Sequence, residues 1–214
     1  MSKGTIARVI AMINSGKAAE RVFFRHIHPN VARGFAWPIL PNGEPTTKGH
    51  EFFFVFDEAH KCIGAVLYTE EDLHAYTVPK ERRKQRMVRA MKDAVLPMLA
   101  AERLESQRVS VSTVEGAGFL RSLGIEGAEV HGVKFIDLSP YVGMPIESFA
   151  PRSLSSDEER RVRKTLMKAS QLAEMVQNEL SVILGTDDNL VGSLDSLRRD
   201  IELVRGQIAD LNFR

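Results

Sequence analysis

The 214-residue chain has a single cysteine, Cys62, a single tryptophan, Trp37, and three tyrosines. A lone cysteine excludes an internal disulfide, and its apolar neighbours make Cys62 a small buried hydrophobe in a protein of a reducing compartment. Long apolar runs are also missing. The N-terminal run is broken by Arg8, and none elsewhere reaches the roughly 18 residues of a membrane span, so we expect no signal peptide, no transmembrane helix and a cytoplasmic location. Charge of one sign is lacking too, because 29 Lys and Arg against 28 Asp and Glu leave a formal +1. That balance gives no global field to recruit nucleic acid or an anionic membrane. His26 and His28 have no Cys or third His at a ligand spacing, so no metal is expected.

What is present falls into two regions with different periodicities. Ile6, Val9, Ile10 and Ile13 share one helical face that Asn14, Ser15 and Gly16 stop. Arg21 to His28 reads as a strand, and Ala36 to Thr47, with three prolines, reads as a loop in which Trp37 packs on the sheet. EFFFVF (Glu51–Phe56) and CIGAVLY (Cys62–Tyr68) are apolar on both faces and flank a polar turn, which predicts a buried hairpin. Leu73 to Val78 is a third strand. Met87, Met91, Val95 and Met98 mark a long helix to about Arg103 that Pro97 should kink. Arg108–Thr113 follows as a strand, Gly118–Ser122 as a short helix and Glu129–Leu138 as a strand. This order predicts an α/β domain over residues 1–139, a mixed sheet flanked by helices.

Residues 140–154 are rich in Pro, Gly and Ser and read as a linker. From 155 to 214 the period changes. Ser155 and Ser156 precede Glu158 and Glu159 at capping-box spacing. Val162, Leu166, Ala169, Ala173, Val176, Leu180 and Ile183 then step by threes and fours, as do Leu190, Leu194, Leu197, Ile201, Val204, Ile208 and Leu211. These are two heptad seams of a helical hairpin, or two-helix coiled coil, each helix near 40 Å at about 1.5 Å per residue. A stripe so narrow pairs with the other helix, with another subunit, or with both.

One stretch carries the balance of the chemistry: VPKERRKQRMVRAM, Val78 to Met91. A strand enters a tight turn at Pro79, cations crowd it, and a helix begins. The first-turn amides of such a helix have no intrahelical partners, a geometry that suits an anion. A cationic first turn, however, meets the unfavourable end of the helix dipole. No aromatic is interleaved to stack on bases, which argues against nucleic acid.

Val78, Pro79, Arg83, Gln85 and Met87 match the frame of the acyl-CoA signature of the GNAT family of N-acyltransferases, and FLRSLGI (Phe119–Ile125) resembles that family's later Phe-Tyr-x-x-Leu-Gly-Phe motif. Over residues 50 to 138 the chain resembles a GNAT domain. The resemblance implies a GNAT-like fold and, if acetyl-CoA is bound, a pyrophosphate turn made by Val78, Arg83, Lys84, Arg86, Met87 and Val88. It also implies a general base near the preceding strand, where Glu70 is the first choice and Glu71 and His74 lie close by; Glu-Glu-Asp at 70–72 otherwise reads as a solvated strand end. Two departures stand out. Lys84, Arg86 and Val88 occupy the positions of the family's glycines, which let backbone approach the phosphates, and Leu120 replaces the tyrosine that protonates the leaving thiolate.

Two expectations follow. The first is a non-catalytic structural or interaction module of a larger assembly, with no cofactor, whose C-terminal helices bind a second copy or another protein; virus particles are one setting that reuses enzyme folds in this way. The second is an acetyl-CoA-dependent N-acyltransferase with a divergent turn.

Overall fold

The computed structural model describes residues 3–17, 21–39, 43, 46–69, 72–82, 84–102, 105–146, 154–185 and 188–210. The chain divides into two compact units, Met1–Phe149 and Ala150–Arg214.

The first unit is an α/β structure. Helix α1 (Lys3–Asn14) precedes strands β1 (Val22–His28), β2 (Val31–Ala36), β3 (His50–Phe56), β4 (Cys62–Thr69) and β5 (Asp72–Thr77). Helical segments α2 (Arg86–Ala90) and α3 (Leu96–Ala101) follow, then β6 (Ser106–Ser110), α4 (Val114–Ser122) and β7 (Val133–Asp137). All seven strands form one sheet in chain order. Neighbours are antiparallel except β5 and β6, which run parallel.

Helices on both faces explain the near-continuous apolar runs of β3 and β4, because a strand covered on both sides has no solvent face to mark with polar residues. Phe52, Phe54, Cys62 and Ala65 turn to one side, where Ile6, Val9 and Ile10 of α1 cover them. Phe53, Val55, Ile63 and Val66 turn to the other, against Met87, Met91, Val95 and Leu99. Asn14 ends α1 and fastens it to the sheet: its amide donates to the Cys62 carbonyl at 2.9 Å and accepts from the Cys62 N–H at 2.8 Å. Trp37 packs edge-on against Phe23, with ring centroids 6.0 Å apart.

Four local expectations are corrected. Strand β2 falls where no element was expected, and Gly34 at its centre faces β1 so closely that a Cβ there would lie 2.0 Å from the Phe23 carbonyl oxygen. The long helix does not simply kink at Pro97. It widens into a π-helical turn over Met91–Val95, and Pro97 sits in the first turn of α3, where its missing N–H is tolerated. Strand β6 spans Ser106–Ser110 rather than 108–113, and the final strand starts at Val133 because Glu129–Gly132 forms a turn with His131 at φ 65°.

The second unit is a hairpin of α5 (Ser156–Leu184) and α6 (Asn189–Asp210). Ser155 and Glu158 form the expected capping box. Each of the two expected seams is divided. Val162, Leu166, Ala169, Ala173 and Leu180 of α5, and Leu194, Ile201 and Ile208 of α6, are buried or half-buried, whereas Val176, Ile183, Leu190, Leu197 and Val204 are exposed. Leu211 lies outside the described residues.

Candidate functional site

Strands β5 and β6 are paired at one point, Leu73 opposite Val109. Beyond it they diverge, and the space between them is a cleft of about 980 Å³ lined by Leu73–Thr77 on one wall and Val109–Thr113 on the other. Helix α4 and the start of α2 contribute further lining, including Phe119, Leu120, Met87 and Val88. A parallel pair that splays apart at its carboxyl ends leaves backbone and side chains facing a crevice, the usual ligand position in sheets of this type.

The apex of this V is pinned by a side chain. Asp72, 9% exposed, accepts the Leu73 N–H at 2.9 Å and, across the gap, the Ser110 N–H at 2.8 Å, both on Oδ1. Its other oxygen lies 3.7 Å from His74 Nε2. The residue expected to be a solvated strand end is instead the clamp between the two walls, and His74, one of the bases considered from sequence, stands in the cleft beside it. Glu70, Glu71 and Arg83 lie outside the described residues.

The basic turn is arranged differently from the sequence expectation. Lys84 Nζ lies 3.0 Å from Glu81 Oε2, Arg86 Nη1 lies 3.1 Å from the same oxygen, and Arg86 Nη2 lies 2.6 Å from Glu58. Hydrogen bonding from Lys84, aided by its charge and that of Arg86, outweighs desolvation and holds the Glu81 carboxyl below the usual glutamate range. Neither Lys84 nor Arg86 is among the described residues lining the cleft; Val78 lies by a smaller depression on the α1 side. Among the described residues, the cations that face the cleft are Lys3, Lys80 and Arg82, with one carboxylate, Glu115. Glu115 is held low first by its own backbone N–H, then by the charges of Arg82 and Lys3.

Gln85 precedes α2 in the left-handed region at φ 58°, so the chain makes there, with a side chain, the reversal that glycine makes most cheaply. The Arg89 N–H donates to the Gln85 carbonyl at 3.0 Å, and among the described residues no such bond is made by the amides of Arg86 to Val88 before it. A cleft of about 980 Å³ therefore lies beside a turn in which Lys84, Arg86 and Val88 each carry a Cβ, where a close approach of phosphate to backbone would need none.

His26 and His28 do other work. His26 lies against Phe56, centroids 5.2 Å apart, and His28 Nδ1 accepts the Asn30 N–H at 3.3 Å in the β1–β2 turn. Among the described residues no three His, Cys, Asp or Glu side chains converge as metal ligands, and no helix is long and apolar enough to cross a membrane. Cys62 is buried, which pushes its thiol up to about 12, so it is not a nucleophile at neutral pH.

No protein-family model, curated protein or solved structure matches the chain.

Proposed function

We propose that the chain is a structural or interaction module of a larger assembly, such as a virus particle, built on a GNAT-like α/β body, with the C-terminal helical hairpin as its contact surface. The observation that carries this reading is the hairpin's unpartnered apolar side chains: Ile183 is 66% exposed, Leu190 58% and Leu197 49%. A monomeric hairpin gains nothing from keeping large aliphatic groups in water at heptad spacing, and patches of this kind mark contact sites. Two features of the α/β unit agree with it. Lys84 and Arg86 are engaged by Glu81 and Glu58, and Leu120, in the cleft wall, has no proton to give. The test is Leu197→Asp, which removes an exposed contact without touching the α/β core. Loss of self-association or partner capture, with the near-ultraviolet spectrum of the α/β unit unchanged, is expected; an unaltered binding profile would refute the assignment.

A second reading, an acetyl-CoA-dependent N-acyltransferase, is favoured by the cleft and by His74 with Asp72 behind it. A thioester held between β5 and β6 would supply the acyl group. His74 would take a proton from an acceptor amine, and the phosphates would meet Lys3, Lys80 and Arg82 at the rim. Calorimetric titration with acetyl-CoA at low and moderate salt separates the readings. Micromolar binding that survives salt, with acyl transfer lost in His74→Ala, would establish the enzyme; absence of binding would leave the cleft a by-product of the fold.

A further inference from the structure

The hairpin leaves part of its apolar bulk outside its own seam. Between α5 and α6, Ser170 and Ala173 are buried and Gln177, Ser181, Asp195 and Arg198 half-buried, together with buried Val191 and half-buried Leu166, Leu180, Leu194 and Ile201. Asp195 pairs with Arg198 at 3.1 Å and receives a hydrogen bond from Gln177. Six further large aliphatic side chains lie off to the side and are exposed. At 3.6 residues per turn, Leu172, Val176 and Ile183 fall within about 40° of one another on α5, and Leu190, Leu197 and Val204 within about 40° on α6. Seen from its own N-terminus, each stripe lies about a quarter-turn counterclockwise from the seam, and in an antiparallel pair two stripes of the same hand open on the same side. The six residues thus form one apolar face across both helices.

Charge along the hairpin is unevenly divided. The first thirteen residues of α5, 156–168, carry five cations, Arg160, Arg161, Arg163, Lys164 and Lys168, against three carboxylates, Asp157, Glu158 and Glu159, a net of +2. Residues 169–197, which include the turn, carry five carboxylates, Glu174, Glu179, Asp187, Asp188 and Asp195, and no Lys or Arg. A second hairpin laid on the apolar face in the same direction would set acidic tip on acidic tip and basic base on basic base. Laid in the opposite direction about a two-fold axis near Val176 and Leu197, it sets each basic segment beside the other copy's acidic tip.

Resting on the module reading above, we infer that two copies of this chain associate through this face as an antiparallel four-helix bundle, each hairpin's basic segment against its mate's acidic tip. A two-helix face as long as α6 measures about 33 Å by 20 Å in plan, which approaches the ~800 Å² per partner of a stable interface. Opposite charges at the two ends fix direction and register, since the reverse orientation is repelled at both.

The test uses the full chain. Sedimentation equilibrium is run from low to high salt on the wild type and on three variants: Glu179→Lys, Lys168→Glu, and both together. The expected result is a dimer weakened at least tenfold by each charge reversal and by salt, and restored when the reversals are combined. A spin label at Arg160→Cys, 16 residues from Val176, reads the direction: about 50 Å between labels for the antiparallel dimer, under about 30 Å for a parallel one. Cys62, fully buried, stays unlabelled. A dimer with the short distance, or one that salt strengthens, would overturn the antiparallel arrangement while sparing the module. A monomer at all concentrations would overturn the dimer, and retained capture of another protein by the hairpin would then distinguish that outcome from failure of the module reading itself.

Discussion

Asp72→Ala removes the acceptor at the apex of the cleft and leaves the Leu73 and Ser110 amides without their partner in a site that is 9% exposed. Hydrogen bonds to a charged group contribute about 1.5–3 kcal/mol each, and a buried amide left unpaired costs about 1–3 kcal/mol. Allowing for partial entry of water at the strand ends, the loss should be about 3–5 kcal/mol. Asp72→Asn keeps a carbonyl oxygen in the same place and gives up only the charge, so about 1–2 kcal/mol is expected. Urea unfolding followed at Trp37, which lies in the same unit, measures both, with the slope checked to exclude a change in the denatured state. Amide exchange supplies the local readout: Ser110 should lose protection in Asp72→Ala well beyond the global change, because β5 and β6 share one other paired position, Leu73 with Val109. If the Ala and Asn variants agree within about 0.5 kcal/mol, or if Ser110 exchange follows the global stability alone, the carboxylate is not the clamp.

Two further outcomes follow from the α/β unit. Gly34→Ala should destabilise by at least about 2 kcal/mol in the same assay, since its Cβ would meet backbone, the Phe23 oxygen at 2.0 Å and Phe24 Cα at 2.5 Å, and β1 must move to admit it; a neutral variant would show that β1 gives way without cost. Glu81 has a folded pKa below its unfolded one, so its pairs with Lys84 and Arg86 contribute stability above the ordinary carboxylate range and lose it as pH falls through the folded value. Glu81→Gln should therefore flatten the acid limb of the stability profile below about pH 4.5, and an unchanged limb would remove Glu81 as its source.

The elements most legible in the sequence were those with strong, uninterrupted periods. The buried β3–β4 hairpin, α1 and both C-terminal helices are where their patterns place them. Strand β2 was hidden because its two most informative residues mislead: Gly34 reads as a breaker and Arg33 as solvated. In the fold, glycine is what lets β1 approach, and Arg33 is satisfied by Glu51 and Glu102. The π turn was hidden because Pro97 signals a break without saying how the helix absorbs it. At the site, the turn's position was legible but its pairing was not. Glu81 and Glu58, one in the turn and one 23 residues before it, take up the cations, and a sequence shows like charges in a row far more readily than it shows their distant partners. Asp72 is hard to read from sequence for a related reason: beside Glu70 and Glu71 it belongs to an acidic run, yet the arrival of β6 gives it two amides to accept, those of Leu73 and Ser110.

The cleft and the turn therefore answer to different constraints. Divergence of β5 from β6 needs only a parallel pair held at one end, which Asp72 and the Leu73–Val109 position supply whether or not anything binds between them. A pyrophosphate turn needs bare backbone, and each Cβ at Lys84, Arg86 and Val88 works against it. The cleft can exist with no phosphate-binding turn beside it, so the cavity alone carries little weight for catalysis. What bears on catalysis is the side chain with no structural task. Asp72 has one, as the clamp. His74, nearly half of whose side chain is exposed at 46%, has no such task in the core, and its replacement should leave the fold intact. An acyl-CoA enzyme must lose activity with that replacement, whereas an interaction module has no reason to register it.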